Sequence, residues 1–595
     1  MPSKVWNSFE KSVQSSVKCK ICGTLLKYLG GSTGSMTKHL KLRHQVAEKA
    51  LSATMDAFIS RTVCNPKKAE RLNNLLVEMV AKDALPVSFI EGDGFRALMK
   101  AIEPSYVVPS RKTMSALLKA KYEEKKTTLQ TDLEKIAFMS VTTDCWTSRS
   151  SEGYMTVTAH GLDGDWVNRS YVLDTTPVVN QEGGQDTVVR HTADALTTQM
   201  SRIVKEWGLE NKLDAIVHDN ASNVKHLGES LGVDDVACAG HTLQLCVNNG
   251  LKAHPQIGRL IACGKKLVAH FRKSVTATKA LEVKQEQLGL PKHKLIQSVC
   301  TRWNSVFEML KRLVEQRWAV CAVLSDRHFT SLTDVRTLEI RDEDWRIAEE
   351  LLACLEPLQV IFLALIVFPF FILQIATTVL SSEQNTSLSS VLPIVSGLVK
   401  RHLKVDAEDI PAVKAFKITT SNDLKRRFTP SEEVSRAQLA SFLDPRYKGL
   451  KFLSKEEQVM VQDKMKEHIS EQQPATKKRR RSSNVAEPQR SAMDFLLGDG
   501  DDNQTPQCDD FDERELAHYI GLPTPSHNSN PNLWWKQYHT NFPILSTLAQ
   551  RYLGTPSTSV PSERIFSTAG NIVNSKRSCF LPANVNILVF WNKNL

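Results

Sequence analysis

Between residues 136 and 172 the apolar spacing switches from helical to alternating. Ile136, Phe138, Met139 and Val141, with β-branched Thr142 and Thr143, predict a short buried strand that ends on Asp144. Tyr154–His160 alternates in the same way, and Trp166–Val172 predicts a third strand. Asp186–Trp207 has helical period and stops at Gly208, a residue suited to the position just past a helix end. Leu213–Asp219 is a second apolar run closing on a carboxylate. A short helix near Asn220–Leu231 and a strand at Asp235–Ala239 follow. Upstream, Met55–Arg61, Pro66–Lys82 and Pro109–Gln130 read as helices, punctuated by Pro86, Pro104 and Pro109. After about residue 255 the strand signal vanishes and helical spacing takes over. Near the end, Phe542–Tyr552, Ser559–Ala569 and Pro582–Asn592 are helices apolar on one face.

At 595 residues the chain holds several domains, because single cores stop growing well below that size. The net charge of +11 leans towards an acidic partner such as nucleic acid. The 12 cysteines are scattered with no signal peptide ahead of them, which argues for free thiols or a metal site in a reducing compartment. Residues 470–531 are polar and rich in Pro, Ser, Asn and Gln, the composition of a disordered linker. Inside them Lys477, Lys478, Arg479, Arg480 and Arg481 form a basic run of nuclear-localisation type, and an acidic stretch runs from Asp494 to Glu515.

One cluster has metal-ligand spacing. Cys19 and Cys22 are spaced C-x₂-C, and His39 and His44 follow as H-x₄-H, a set that can close a tetrahedral Zn²⁺ site. Nine Lys and Arg against two Glu make residues 1–50 basic, and Lys38, Lys41 and Arg43 fall on the candidate helix that starts near Ser32–Ser35. With Trp6 and Phe9 ahead of the first Cys, the segment resembles a BED-type zinc finger. The resemblance implies that the helix enters a groove of double-stranded DNA.

A second constellation is acidic. Asp144 and Asp219 end two strands, and Glu563 lies in the first turn of a downstream helix. Converged, these three could hold a pair of Mg²⁺ ions, which take hard oxygen ligands. The element order βββαβαβα is that of an RNase H-like fold, in which the first and fourth strands lie side by side. Thr143-Asp144-Cys145-Trp146-Thr147-Ser148, His218-Asp219-Asn220, Cys238-Ala239-Gly240-His241 and Pro561-Ser562-Glu563-Arg564-Ile565-Phe566-Ser567 are similar to the motifs of hAT-superfamily transposases, and most of all to their BED-finger relatives. The resemblance implies that Asp144, Asp219 and Glu563 form a metal-binding triad, with Cys238 and His241 near it as packing and substrate contact; a second zinc half-site is the other reading of that pair. It also implies that Trp303, in Cys300-Thr301-Arg302-Trp303, stacks on a base extruded from DNA; a core tryptophan is the alternative.

The implied architecture is α+β and multidomain. A BED zinc finger occupies 1–50 and a helical connector 51–134. An RNase H-like core covers 135–254, an all-α insertion 255–469, the linker 470–531, and a C-terminal dimerisation region 532–595 that completes the core. The near-wholly apolar stretch at 361–374 interrupts the resemblance and reads as a translated intron; it is too short and too Pro-broken for a membrane span, which needs roughly 20 apolar residues. The expected protein is nuclear and DNA-binding, takes Zn²⁺, and self-associates as a homodimer or larger. It is either a transposase cutting DNA with Mg²⁺ or a catalytically silent transcription regulator, and no membrane is involved.

Overall fold

The computed structural model describes residues 4–12, 15–28, 32–44, 64–147, 152–182, 185–188, 192–299, 303–329, 336–366, 387–429, 433–472, 511–565 and 582–594. The chain forms two compact units, 1–121 and 122–595.

In the first unit, strands β1 (Phe9–Ser12), β2 (Ser16–Cys19) and β3 (Leu25–Lys27) make an antiparallel sheet, followed by the helix Gly34–His44. Phe9, Val17, Cys19 and Met36 form its small core, with Trp6 edge-on against Tyr28. The helix Pro66–Lys82 matches the sequence reading residue for residue, with Pro66 in its first turn and the Asn65 side chain accepting the Lys67 N–H. The expected helix at Met55–Arg61 and the basic run at 477–481 lie outside the described residues.

The second unit is built on a five-stranded sheet. Its strands are β4 (Met139–Thr147), β5 (Gly153–Leu162), β6 (Asn168–Pro177), β9 (Leu213–His218) and β10 (Asp234–Ala237). The spatial order is β6-β5-β4-β9-β10, with β4, β5 and β6 antiparallel and β9 and β10 parallel to β4. This is the RNase H-like order expected, and it sets Thr142 of β4 beside Val217 of β9, each two residues before an aspartate, Asp144 and Asp219. The last helix, Pro582–Asn594, covers the free edge: Asn594 and Asn586 accept the backbone N–H groups of Val172 and Thr175 on β6. An edge strand is thereby closed within the chain.

Four expectations need correction. The helix read at Asp186–Trp207 begins only at Ala193, because β7 (Val179–Glu182) and β8 (Gln185–Val188) form a polar hairpin before it. The helix near Asn220–Leu231 shrinks to Leu227–Leu231. The span read as linker contains the helix Phe511–Gly521, whose Tyr519 is fully buried against Phe442, Trp535 and Phe542. The stretch 255–469 divides between two cores. Its first part packs a helical core around Trp303, Leu310, Leu351 and Phe416, whereas the helices Arg436–Leu443 and Lys455–Glu471 pack with Ala215 and Val217 of the sheet. Amphipathic period marks a helix as half-buried but does not say against which partner.

Gly250 marks where the helical region meets the sheet domain. A Cβ there would meet Thr420 Oγ1 at 2.0 Å, so only glycine lets the helices Ala239–Leu251 and Pro411–Phe428 approach this closely. Residues 361–366 prolong the helix Asp342–Ile366, and 367–374 lie outside the described residues. Among the described residues no helix is long and apolar enough to cross a membrane.

Candidate metal centres

The finger's four ligands meet as its spacing predicts. Cys19 sits at the end of β2, Cys22 in the turn after it, and His39 and His44 on the helix Gly34–His44. Cys19 Sγ lies 3.5 Å from His44 Nε2, Cys22 Sγ 3.2 Å from His39 Nε2, and the two Nε2 atoms are 3.2 Å apart. Bonds of about 2.3 Å to sulfur and about 2.0 Å to nitrogen would separate two nitrogens by about 3.3 Å and a sulfur from a nitrogen by about 3.5 Å around tetrahedral zinc, so the donor set fits the ion. Hydrogen bonds from Thr24, and then from His44 and His39, hold the Cys22 thiol down to about 6, which favours the thiolate a metal needs. Lys38, Lys41 and Arg43 are exposed on the helix.

The acidic cluster is assembled from three distant stretches. Asp144 lies near the end of β4 and is 8 % exposed. Burial, then the carboxylates of Glu563 and Asp219, pushes it up to about 7, so the three acids share one electrostatic neighbourhood. Asp219 follows the last residue of β9 and accepts the Ala221 N–H at 3.0 Å. Between them Asn220 takes φ 68°, a left-handed conformation that Asn tolerates better than most residues, and its amide donates to Thr242 Oγ1. Glu563 stands in the helical turn at 560–565. Its Oε1 lies 3.7 Å from His241 Nδ1. Burial opposes a charge on His241, but Cys238, Glu563 and Asp219 outweigh it and raise the imidazole to about 9.

This chemistry suits a hard divalent cation: three carboxylates with His241 as a basic neighbour, and the buried Thr156 hydroxyl, directly across the ladder from Asp144, with no hydrogen-bond partner among the described residues. The acidic cluster is more open than the finger, because among the described residues only the finger gathers its ligand atoms within 4.8 Å of one another. Cys238 is buried, its sulfur accepts the Ser559 backbone N–H at 3.3 Å, and among the described residues no third metal-type ligand gathers with it and His241, which supports the packing reading.

Trp303 corrects the expectation of base stacking. It is 0 % exposed and lies in the helical core, so its ring presents no face to a nucleotide. An Arg-Trp pair looks the same in sequence whether the indole points in or out.

Comparison with known proteins divides the chain as the fold does. The BED zinc finger family matches residues 3–45, the ZBED1 RNase-like domain 142–241, the ZBED1 RNase-like helical domain 236–354, and the hAT family C-terminal dimerisation region 515–595. The chain is a hAT-derived BED-finger protein. Human "Zinc finger BED domain-containing protein 4" is 24% identical over 100% of this chain and 52% of its own length, so the chain spans about half of that relative. The maize protein named "Putative AC transposase" is 25% identical over 92% of this chain and 68% of its own length. A Talaromyces stipitatus protein named "Putative transcriptional regulator tpeD" is 25% identical over 99% of this chain and 71% of its own length. This hAT-derived chain thus carries a DNA-binding finger with a zinc cluster at one end and a self-association region at the other. That region begins at Glu515, inside the span whose composition reads as linker.

Proposed function

We propose that this protein acts in the nucleus as a DNA transposase. It would bind double-stranded DNA through its finger, self-associate through 515–595, and cut strands at the cluster of Asp144, Asp219 and Glu563. The observation that carries this reading is the meeting of three carboxylates from two neighbouring strands and a remote helical turn, where burial and then the charges of Glu563 and Asp219 raise Asp144 to about 7. Asp144, Asp219 and Glu563 would hold two Mg²⁺ ions, whose chemistry is to stabilise the attacking and leaving oxygens of a phosphoryl transfer. The chain's own contribution is placement. Asp144 is fixed in the sheet, Asp219 keeps one oxygen on the Ala221 N–H, and protonated His241 beside Glu563 offers a positive charge to a phosphate. Lys38, Lys41 and Arg43 would hold the DNA backbone, which positions the duplex without reading sequence.

The test is cleavage of DNA carrying the element's own ends, beside a gel shift on the same DNA, with residues 361–374 removed from the reference protein. Asp144→Asn, Asp219→Asn and Glu563→Gln should each abolish cutting and leave binding intact, because each removes one charge from the cluster and none touches the finger. A reference protein that binds and never cuts would defeat this reading. The second reading, a catalytically silent regulator that keeps the finger and the dimer surface, is favoured by the fungal relative's name and would then stand.

A further inference from the structure

We propose that two side-chain clasps, Thr142 with Ser562 and Cys238 with Ser559, hold the Glu563 turn in register against the two aspartate strands, which makes Thr142, Ser562 and Cys238 positioning residues of the acidic cluster. The proposal rests on the reading of that cluster as a divalent-metal site.

Alternation along β4 puts Ser140, Thr142 and Asp144 on one face of the sheet. The C-terminal stretch lies along that face. Ser140 Oγ and Thr555 Oγ1 share a hydrogen bond of 2.9 Å, and Thr142 Oγ1 and Ser562 Oγ share one of 2.5 Å. Glu563 is the next residue. Thr142 also bonds Thr158 Oγ1 at 2.6 Å, its partner across the β4–β5 ladder, and Thr158 bonds His160 Nε2 at 2.7 Å. Thr142 and Ser562 are each 0 % exposed. Buried hydroxyls cost about 1–3 kcal/mol when left unpaired, so a slip of the turn along β4 is penalised at once.

The second clasp reaches the other strand. The Cys238 N–H donates to the His218 carbonyl at 2.8 Å, and His218 is the residue before Asp219. Cys238 Sγ accepts the Ser559 N–H at 3.3 Å, and the Ala239 N–H donates to the Ser557 carbonyl at 2.9 Å. One buried cysteine therefore ties the end of β9 to the turn that opens the Glu563 helix, whose own N–H returns to Ser559 O at 3.3 Å.

The Thr142–Ser562 clasp meets the chain two residues from Asp144 and one from Glu563, and Cys238 meets it at His218, one residue from Asp219, and at Ser559, one helical turn before Glu563. Valine at 142 or alanine at 562 would fill much the same space without a buried polar atom, so hydroxyls here add register more than packing. A small divalent ion holds its ligands at about 2.1 Å in a fixed geometry, and outer-shell partners of metal ligands typically carry about 10–100-fold in affinity.

The experiment uses the full chain and Mn²⁺ as the probe, with bound ion measured by electron paramagnetic resonance titration and Asp144→Asn as the control that locates the site. Thr142→Val and Ser562→Ala should each weaken Mn²⁺ binding about ten-fold. They should lower kcat for cleavage with KM for DNA unchanged. The double variant should be no worse than the poorer single one, Thr142→Ser should restore binding, and Cys238→Ala should weaken it independently of the hydroxyl pair. The proposal is overturned if Mn²⁺ affinity holds while the melting temperature falls, which marks a purely structural bond, or if Asp144→Asn leaves Mn²⁺ binding unchanged. A wild-type protein that binds Mn²⁺, loses it in Thr142→Val and never cuts DNA would support the clasps and defeat the cleavage reading alone.

Discussion

The carboxylate of Glu515 accepts the backbone N–H of Leu545 at 2.8 Å and that of Ile544 at 3.1 Å. One helix, Phe511–Gly521, thus supplies the cap for the first turn of another, Pro543–Leu553, whose own first residue is a proline. Two orphan donors and the positive end of a helix dipole meet a buried charge there. Glu515→Ala should cost about 1–3 kcal/mol and Glu515→Gln distinctly less, since the amide keeps one acceptor. Denaturant unfolding followed by the fluorescence of neighbouring Trp534 and Trp535 would measure both. Equal midpoints for all three proteins would refute the cap.

The finger should fold only around its metal. Its core is four buried side chains, too few to hold a segment this short, and metal binding supplies the missing free energy. Chelation should erase the ordered far-ultraviolet circular dichroism spectrum of residues 1–50, and Cys22→Ser should abolish specific DNA binding by the full chain. A spectrum unchanged by chelator would show that the zinc is dispensable.

Trp303 should matter for stability rather than for DNA. Trp303→Ala leaves a large cavity in the helical core and should cost about 3–5 kcal/mol. The folded fraction should bind DNA as the parent does. A selective loss of DNA affinity without loss of stability would return the indole to the nucleic-acid surface.

His160 should make the protein acid-sensitive. Burial lowers its imidazole from 6.5 to about 4. The unfolded chain therefore binds the proton first, and the stabilisation is full above about pH 6.5 and is lost as pH falls towards 4. Each pH unit inside that window is worth about 1.4 kcal/mol. Urea midpoints at pH 7 and pH 5 should differ less in His160→Gln than in the parent, and identical differences would mean that other groups set the acid limit.

The readable parts of this sequence were those where one local pattern has one physical outcome. An apolar β-branched run ending in a carboxylate gave β4 with Asp144, and Cys-x₂-Cys with two spaced His gave the finger. Asn65-Pro66 marked a helix start to the residue. The hairpin β7–β8 escaped because its strands, Val-Asn-Gln-Glu and Gln-Asp-Thr-Val, are mostly polar and carry no period. The helix Phe511–Gly521 was hidden by the acidic composition around it, although its Leu516 and Tyr519 point into the core. The Thr142–Ser562 and Cys238–Ser559 contacts could not be read at all, since a hydroxyl or a thiol announces no partner until the fold delivers one.

The bond between Thr142 and Ser562 spans 420 residues of chain, and it orders events during synthesis. The ribosome makes the finger and Thr142 long before it reaches Ser562 and Glu563. A prematurely ended product that stops after His44 but short of Ser562 keeps its Cys₂His₂ cluster and lacks the last carboxylate. Under the proposed function such a product would occupy the same DNA with an unfinished acidic cluster, and broken copies of the gene would compete with the intact one.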